Sequence, residues 1–174
     1  MKILHSALLL VVSGFTIYGQ CLEASYTFNG NANDQSGNNR NITVNGASLS
    51  FDRNGQATEA YYFDGHNDVM LTNHSFDYQN RTVAFWMEPH RLTGVNSVMA
   101  QDANYLNYGS FGGNISNGSL TISSGGSDNY STSNVQVGQW LHIAMTRSAT
   151  DVKYYIDGQL VYTGSPNTVG SSSY

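Results

Sequence analysis

Residues 140–164 read WLHIAMTRSATDVKYYIDGQLVYTG, and their spacing decides the fold class. Leu141, Ile143 and Met145 alternate with Trp140, His142, Ala144 and Thr146, a period of two that belongs to a strand with one apolar face. Farther on, Asp157 and Gly158 separate the extended runs VKYYI and QLVYT. That pair suits a two-residue type I′ turn, in which both positions take positive φ, so an antiparallel hairpin is expected here. Upstream, TVAFWME repeats the alternation, with Val83, Phe85 and Met87 set against Thr82, Ala84 and Trp86. Each of these two long strands presents one apolar face, and both are expected at the centre of a sheet.

Elsewhere, short apolar runs recur every 8 to 15 residues or so between clusters of Gly, Asn, Ser and Asp, and no window holds a helical period over three turns. Strands are expected at Leu22–Phe28, Ala47–Phe51, Ala60–Phe63, Val69–Thr72, Thr82–Glu88, Val98–Gln101, Leu120–Ser123, Trp140–Arg147, Val152–Ile156 and Leu160–Thr163. Residues 112–134 read as short strands separated by loops, and the last ten residues hold no further core strand. Pro89 and Pro166 fall at strand ends, where a missing amide donor is tolerated. The pattern is all-β, that of a sandwich or barrel.

With 174 residues the chain has room for one domain of ordinary size. Only 11% of its residues are charged, while Gly (18) and Tyr (12) abound, a composition of extracellular β-rich proteins. A net charge of −5 with only 7 Lys and Arg excludes a phosphate-binding patch, and with it nucleic acid as partner. Lys2 and the apolar run ALLLVV (Ala7–Val12), continuing to Ile17, form a secretory signal peptide over residues 1–19. The run is too short to span about 30 Å of hydrocarbon. Cleavage after Gly19 would leave residues 20–174 as one domain, secreted or held at a bacterial cell surface. Cys21 is the only cysteine, which excludes an internal disulfide, and Gln20 before it argues against a lipid anchor.

The blocks YTFNGNANDQSGN, AYYFDGHNDV, RTVAFWMEP and the 140–164 stretch occur in the order seen in LamG-like domains. Over Leu22–Gly164 the chain resembles this group of the concanavalin A-like lectin/glucanase superfamily. The resemblance implies a two-sheet antiparallel jelly-roll sandwich, usually exported, often one module of a larger bacterial protein that binds glycans or cell-surface proteins. Members of the family continue into an aromatic-Gly-x-Ile-Asp block with one more core strand beside the N-terminal one. That block does not occur before Tyr174, so a C-terminal truncation is expected, or a neighbour supplied by another chain.

Each chemistry-bearing stretch also suits a structural role. The stretch FNGNANDQSGN (Phe28–Asn38) suits a calcium loop, a sugar-binding loop or a turn of residues that accept positive φ. Oxygen-rich side chains make Ca²⁺ the one cofactor to consider, with Asp34, Asp64 and Asp68 converging on one rim. For sugar binding, Asp102, Asn104, Tyr105, Asn107 and Tyr108, joined by Asp128, Asn129 and Tyr130, combine aromatic faces with planar amides and carboxylates. The same tyrosines could instead cover the sandwich, one end packed and one wet.

Catalysis is not expected. Hydrolases of the resembling fold carry a Glu-x-Asp-x-Glu or Glu-x-Asp-x-x-Glu strand, whereas Glu23, Glu59 and Glu88 are isolated. No G-x-S-x-G occurs, and His66, His74, His90 and His142 lack metal-ligand spacing. The Asn-x-Ser/Thr sequons at Asn41, Asn73, Asn80, Asn114, Asn117 and Asn129 read as chance matches in a bacterial chain. The expected role is non-catalytic recognition, carbohydrate-binding or adhesive. A glycoside hydrolase of the same fold and a spacer module without ligand are the alternatives.

Overall fold

The computed structural model describes residues 22–74, 76, 80–100, 111–124 and 129–166. Among them there are twelve strands and no helix, hence none able to cross a membrane as a helix. One main sheet has the order β12-β11-β10-β5, built from β5 (Arg81–Met87), β10 (Leu141–Arg147), β11 (Val152–Ile156) and β12 (Gln159–Gly164). The other runs β6-β7-β8-β9, from β6 (Val95–Ala100), β7 (Gly112–Ser116), β8 (Ser119–Ser123) and β9 (Asn129–Thr132). Two short antiparallel pairs complete the molecule: β1 (Ile42–Asn45) with β4 (Val69–Thr72), and β2 (Ser48–Ser50) with β3 (Ala60–Tyr62).

The Asp157-Gly158 hairpin is present, with φ of 49° at Asp157 and 78° at Gly158, the signs a type I′ turn requires. Asn117 and Gly118 make the same turn between β7 and β8, with φ of 47° and 83°.

Alternation places the core. Leu141, Ile143 and Met145 of β10 are buried, as are Val152 and Tyr154 of β11, and they face Ile115, Leu120 and Ile122 of the other sheet with Phe111. Val83, Phe85 and Met87 pack against this cluster from β5. Between the sheets, a void lined by Phe85, Val98, Leu120, Ile122, Ile143 and Met145 measures about 10 Å³. That is at the threshold for one water and its lining is apolar, so this gap between the sheets offers a water no polar partner.

Three expectations are corrected. Among the described residues β5 lies at the edge of its sheet rather than at the centre. An apolar face reports what lies above a strand, not how many ladders flank it. Leu22–Phe28 joins no sheet among the described residues, because the loop that follows takes its acceptors: Ser25 O accepts from Gln35 N, and the carbonyls of Leu22 and Glu23 accept from Asn38 Nδ2. Finally, β1 was not expected, since ITVN is short and half polar, while β7 and β9 give bounds to strands expected only as short pieces within residues 112–134. In β7 the glycines serve close approach: a Cβ at Gly113 would stand 3.4 Å from Thr121 O, and one at Gly112 3.4 Å from Ser123 Oγ.

Candidate functional site

The stretch from Phe28 to Asn38 folds as a turn system organised by one carboxylate. Asp34 accepts hydrogen bonds from Ser25 N (2.9 Å), Ser36 N (2.9 Å), Ser36 Oγ (2.8 Å) and Arg40 N (3.1 Å), while its own N–H donates to Asn41 Oδ1 (2.9 Å). Burial alone would raise this carboxyl, but the donors from Ser25, Ser36 and Arg40 outweigh it and hold Asp34 well below the usual carboxylate range. Nearby, partial burial and then the Asp34 charge raise the Tyr26 phenol against the opposing pull of Arg40. Its hydroxyl donates to Arg40 O at 2.6 Å. Left-handed φ at Phe28 (57°), Gly30 (72°), Gly37 (90°) and Asn39 (62°) turns the chain between these anchors.

This scaffold presents Asn38, Asn39, Arg40 and Asn41 along one wall of an open groove of about 570 Å³. Asn73 and His74, just past β4, line it as well, with Ile42 and Thr43 of β1. Arg40 is held by Glu23, both as an ion pair and through Glu23 O at 2.9 Å, and its guanidinium lies 5.6 Å from the Phe76 ring centroid. Asn39 on this stiff loop and Asn73 past β4 bring planar amides suited to hydroxyl groups to the groove, in a volume typical of small-ligand sites, while Asn38, Arg40 and Asn41 brace the loop itself. The sequence marks the Phe28–Asn38 loop but not its meeting with Asn73 and His74, which depends on the β1–β4 pairing (Ile42 opposite Thr72).

The other candidate residues fare differently. Asp102, Asn104, Tyr105, Asn107, Tyr108 and Asp128 lie outside the described residues, as do the signal segment and Cys21. Tyr130, on β9 opposite Ile122, is half-buried and packs against the core, which commits its ring to the sandwich.

Asp34, Asp64 and Asp68 do not converge. Asp34 is tied to Arg40 and Asn41, just before β1, whereas Asp68 precedes Val69, the partner of Asn45 at the other end of β1. That is ~10 Å of strand. Asp68 Oδ2 accepts from Asp64 N, and Asp64 Oδ1 from His66 N, both at 2.8 Å. Among the described residues no group of three or more His, Cys, Asp or Glu is placed to hold a metal ion. Glu23, Glu59 and Glu88 stand on separate segments, the first paired with Arg40.

Two main antiparallel sheets closed on one apolar interior, with polar loops at the rim, define a jelly-roll β-sandwich domain. The chain belongs to the concanavalin A-like lectin/glucanases superfamily, whose laminin G-type family model matches residues 63–173. As its name says, that superfamily holds both lectins and glucanases. No curated protein sequence matches the chain.

Among solved structures, domain 4 of AbnA, an extracellular GH43 arabinanase from Geobacillus stearothermophilus, was determined in complex with arabinotriose. It is similar at 21% identity and a TM-score of 0.60, covering 86% of this chain and 78% of that one. The binding domain of botulinum neurotoxin DC, in complex with rat synaptotagmin II, is similar at 13% identity and a TM-score of 0.55, with 84% of this chain covered. The receptor-binding domain of the mosaic serotype C/D toxin is similar at 18% identity and a TM-score of 0.52, with 80% covered. The chain spans 40% and 37% of those two toxin domains, respectively. At these identities the likeness is one of fold.

Proposed function

We propose that this protein is an exported, non-catalytic recognition module that binds carbohydrate at the groove formed by Asn38–Thr43, Asn73 and His74. The observation that carries the reading is the groove itself: the planar amides of Asn39 and Asn73 at a loop stiffened by Asp34, beside a volume able to hold one or two sugar rings. A similar domain solved with arabinotriose supports a glycan ligand, and one solved with synaptotagmin keeps a protein partner open to the same test. Extracellular function is supported by the leader-like N-terminus and by the arabinanase relative.

The test is a glycan array followed by calorimetry with arabino- and gluco-oligosaccharides. Asn73→Ala and Asn39→Gly, the latter keeping the left-handed backbone available, are each expected to weaken binding about tenfold or more, one lost hydrogen bond of the stronger kind. Binding that survives both variants unchanged would remove the groove from the proposal. Release of reducing ends from β-glucans or galactans would make the protein a hydrolase instead.

A further inference from the structure

We infer a second ligand site, on the outward face of the β5–β10 pair, for a saccharide that carries a carboxylate. Because Ile143 and Met145 point inward, His142 and Ala144 point out, and register sets His142 directly opposite Trp86 and Ala144 opposite Ala84. Trp86 is 44% exposed, an unusual state for so large an apolar surface in a strand that buries its other face. Its ring centroid lies 5.1 Å from that of His142, and the Arg53 guanidinium stands 4.6 Å from it.

Arg53 comes from the loop after β2, whose shape is held by Asp52. That carboxylate accepts from Gln56 N (2.7 Å), Asn54 N (2.9 Å) and Asn54 Nδ2 (2.8 Å). Asp52 therefore spends its hydrogen bonds on its own turn, although the charge of the adjacent Arg53 helps to lower its carboxyl. Among the described residues no carboxylate reaches ion-pair distance of Arg53, and its five N–H groups meet no acceptor. Of the other acids at this end of the sheet, Asp157 Oδ1 accepts from His142 N at 2.8 Å, and Glu88 follows two residues after Trp86.

A guanidinium resting on an indole keeps its in-plane donors turned outward as a fork, and a planar carboxylate is the group that fork matches. Beside it, the indole edge, the imidazole and the low floor of Ala84 and Ala144 offer apolar contact to a ring, with Tyr155 opposite Ala144 on the next strand. Carboxylate and ring together describe a uronic acid within an oligosaccharide. This site is separate from the groove and does not depend on it.

The experiment titrates the protein with tri-galacturonate and, as control, with the neutral trigalactoside of the same linkage, following tryptophan fluorescence and heat. Binding of the acid form, weakened by added salt, is expected. Arg53→Met should reduce it about tenfold or more and Arg53→Lys less, while Asn73→Ala leaves it unchanged. Melting temperatures of the Arg53 variants check that the β2–β3 region stays folded. Equal affinity for both trisaccharides, no binding of the acid form, or full binding by a folded Arg53→Met protein would each overturn the inference, whatever the groove binds.

Discussion

Replacing Ile143 with alanine tests the reading of β10 on which the sandwich rests. The side chain is 1% exposed and lines the narrow void between the sheets with Phe85, Leu120, Ile122 and Met145. Truncation removes three carbons, at about 0.8 kcal/mol each some 2.4 kcal/mol of transfer free energy. The walls cannot close easily, because β10 is laddered to β5 on one side and β11 on the other. A cavity contribution therefore adds to the transfer loss, for a total of about 3–4 kcal/mol within the range of such core truncations. Urea unfolding followed by tryptophan fluorescence should show the midpoint falling with an unchanged slope, and the melting temperature should drop by roughly 6–16 °C. The neighbour Ala144 supplies the control: it faces outward, so Ala144→Thr should cost less than about 0.5 kcal/mol. A loss below about 1 kcal/mol for Ile143→Ala, or a larger loss for Ala144→Thr, would refute the assigned face of the strand and with it the register of the sheet.

Four further outcomes follow from the loops. Asp34→Ala should loosen the turn that forms the groove wall, lowering both sugar affinity and protection of residues 25–40 from hydrogen exchange, whereas Ser36→Ala removes a single donor and should do less. Asp34 and Asp52 both titrate below their unfolded values, so the stability they contribute is fully present above the ordinary carboxylate pKa and is lost as pH falls through it toward the folded one. Acid titration of the wild-type protein should show stability declining between about pH 5 and pH 2, with a shallower slope in Asp34→Ala; identical slopes would contradict that account. Gly46 takes φ of 84° and a Cβ there would overlap Asp68 Oδ1, so Gly46→Ala should destabilise by more than about 1 kcal/mol in the same urea assay. Because Asp34, Asp64 and Asp68 stand apart, Ca²⁺ at constant ionic strength should leave the melting temperature of wild type and of Asp64→Asn alike. A chelator-sensitive rise would show that other oxygens make a calcium site.

Alternation along 82–88 and 140–147, together with Asp157-Gly158, carries the fold by local rules: a period of two, and a dipeptide that accepts two positive φ values. These signals are legible because each residue's contribution depends on its immediate neighbours. The Asn117-Gly118 turn was equally visible in principle, and with it β7 and β8 could have been paired across residues 112–123. What stayed hidden needed distant partners. That β5 has one ladder rather than two among the described residues, that Leu22–Phe28 surrenders its carbonyls to a loop, that Asn73 joins Asn39 across a groove, and that Arg53 reaches Trp86 are all facts about which segments meet. Composition and period determine which faces are buried, since burial follows from the apolar surface each residue carries. Tertiary structure alone decided which polar side chains converge, because a hydrogen bond or a stacked guanidinium depends on position to within an ångström and leaves no periodic trace in the chain.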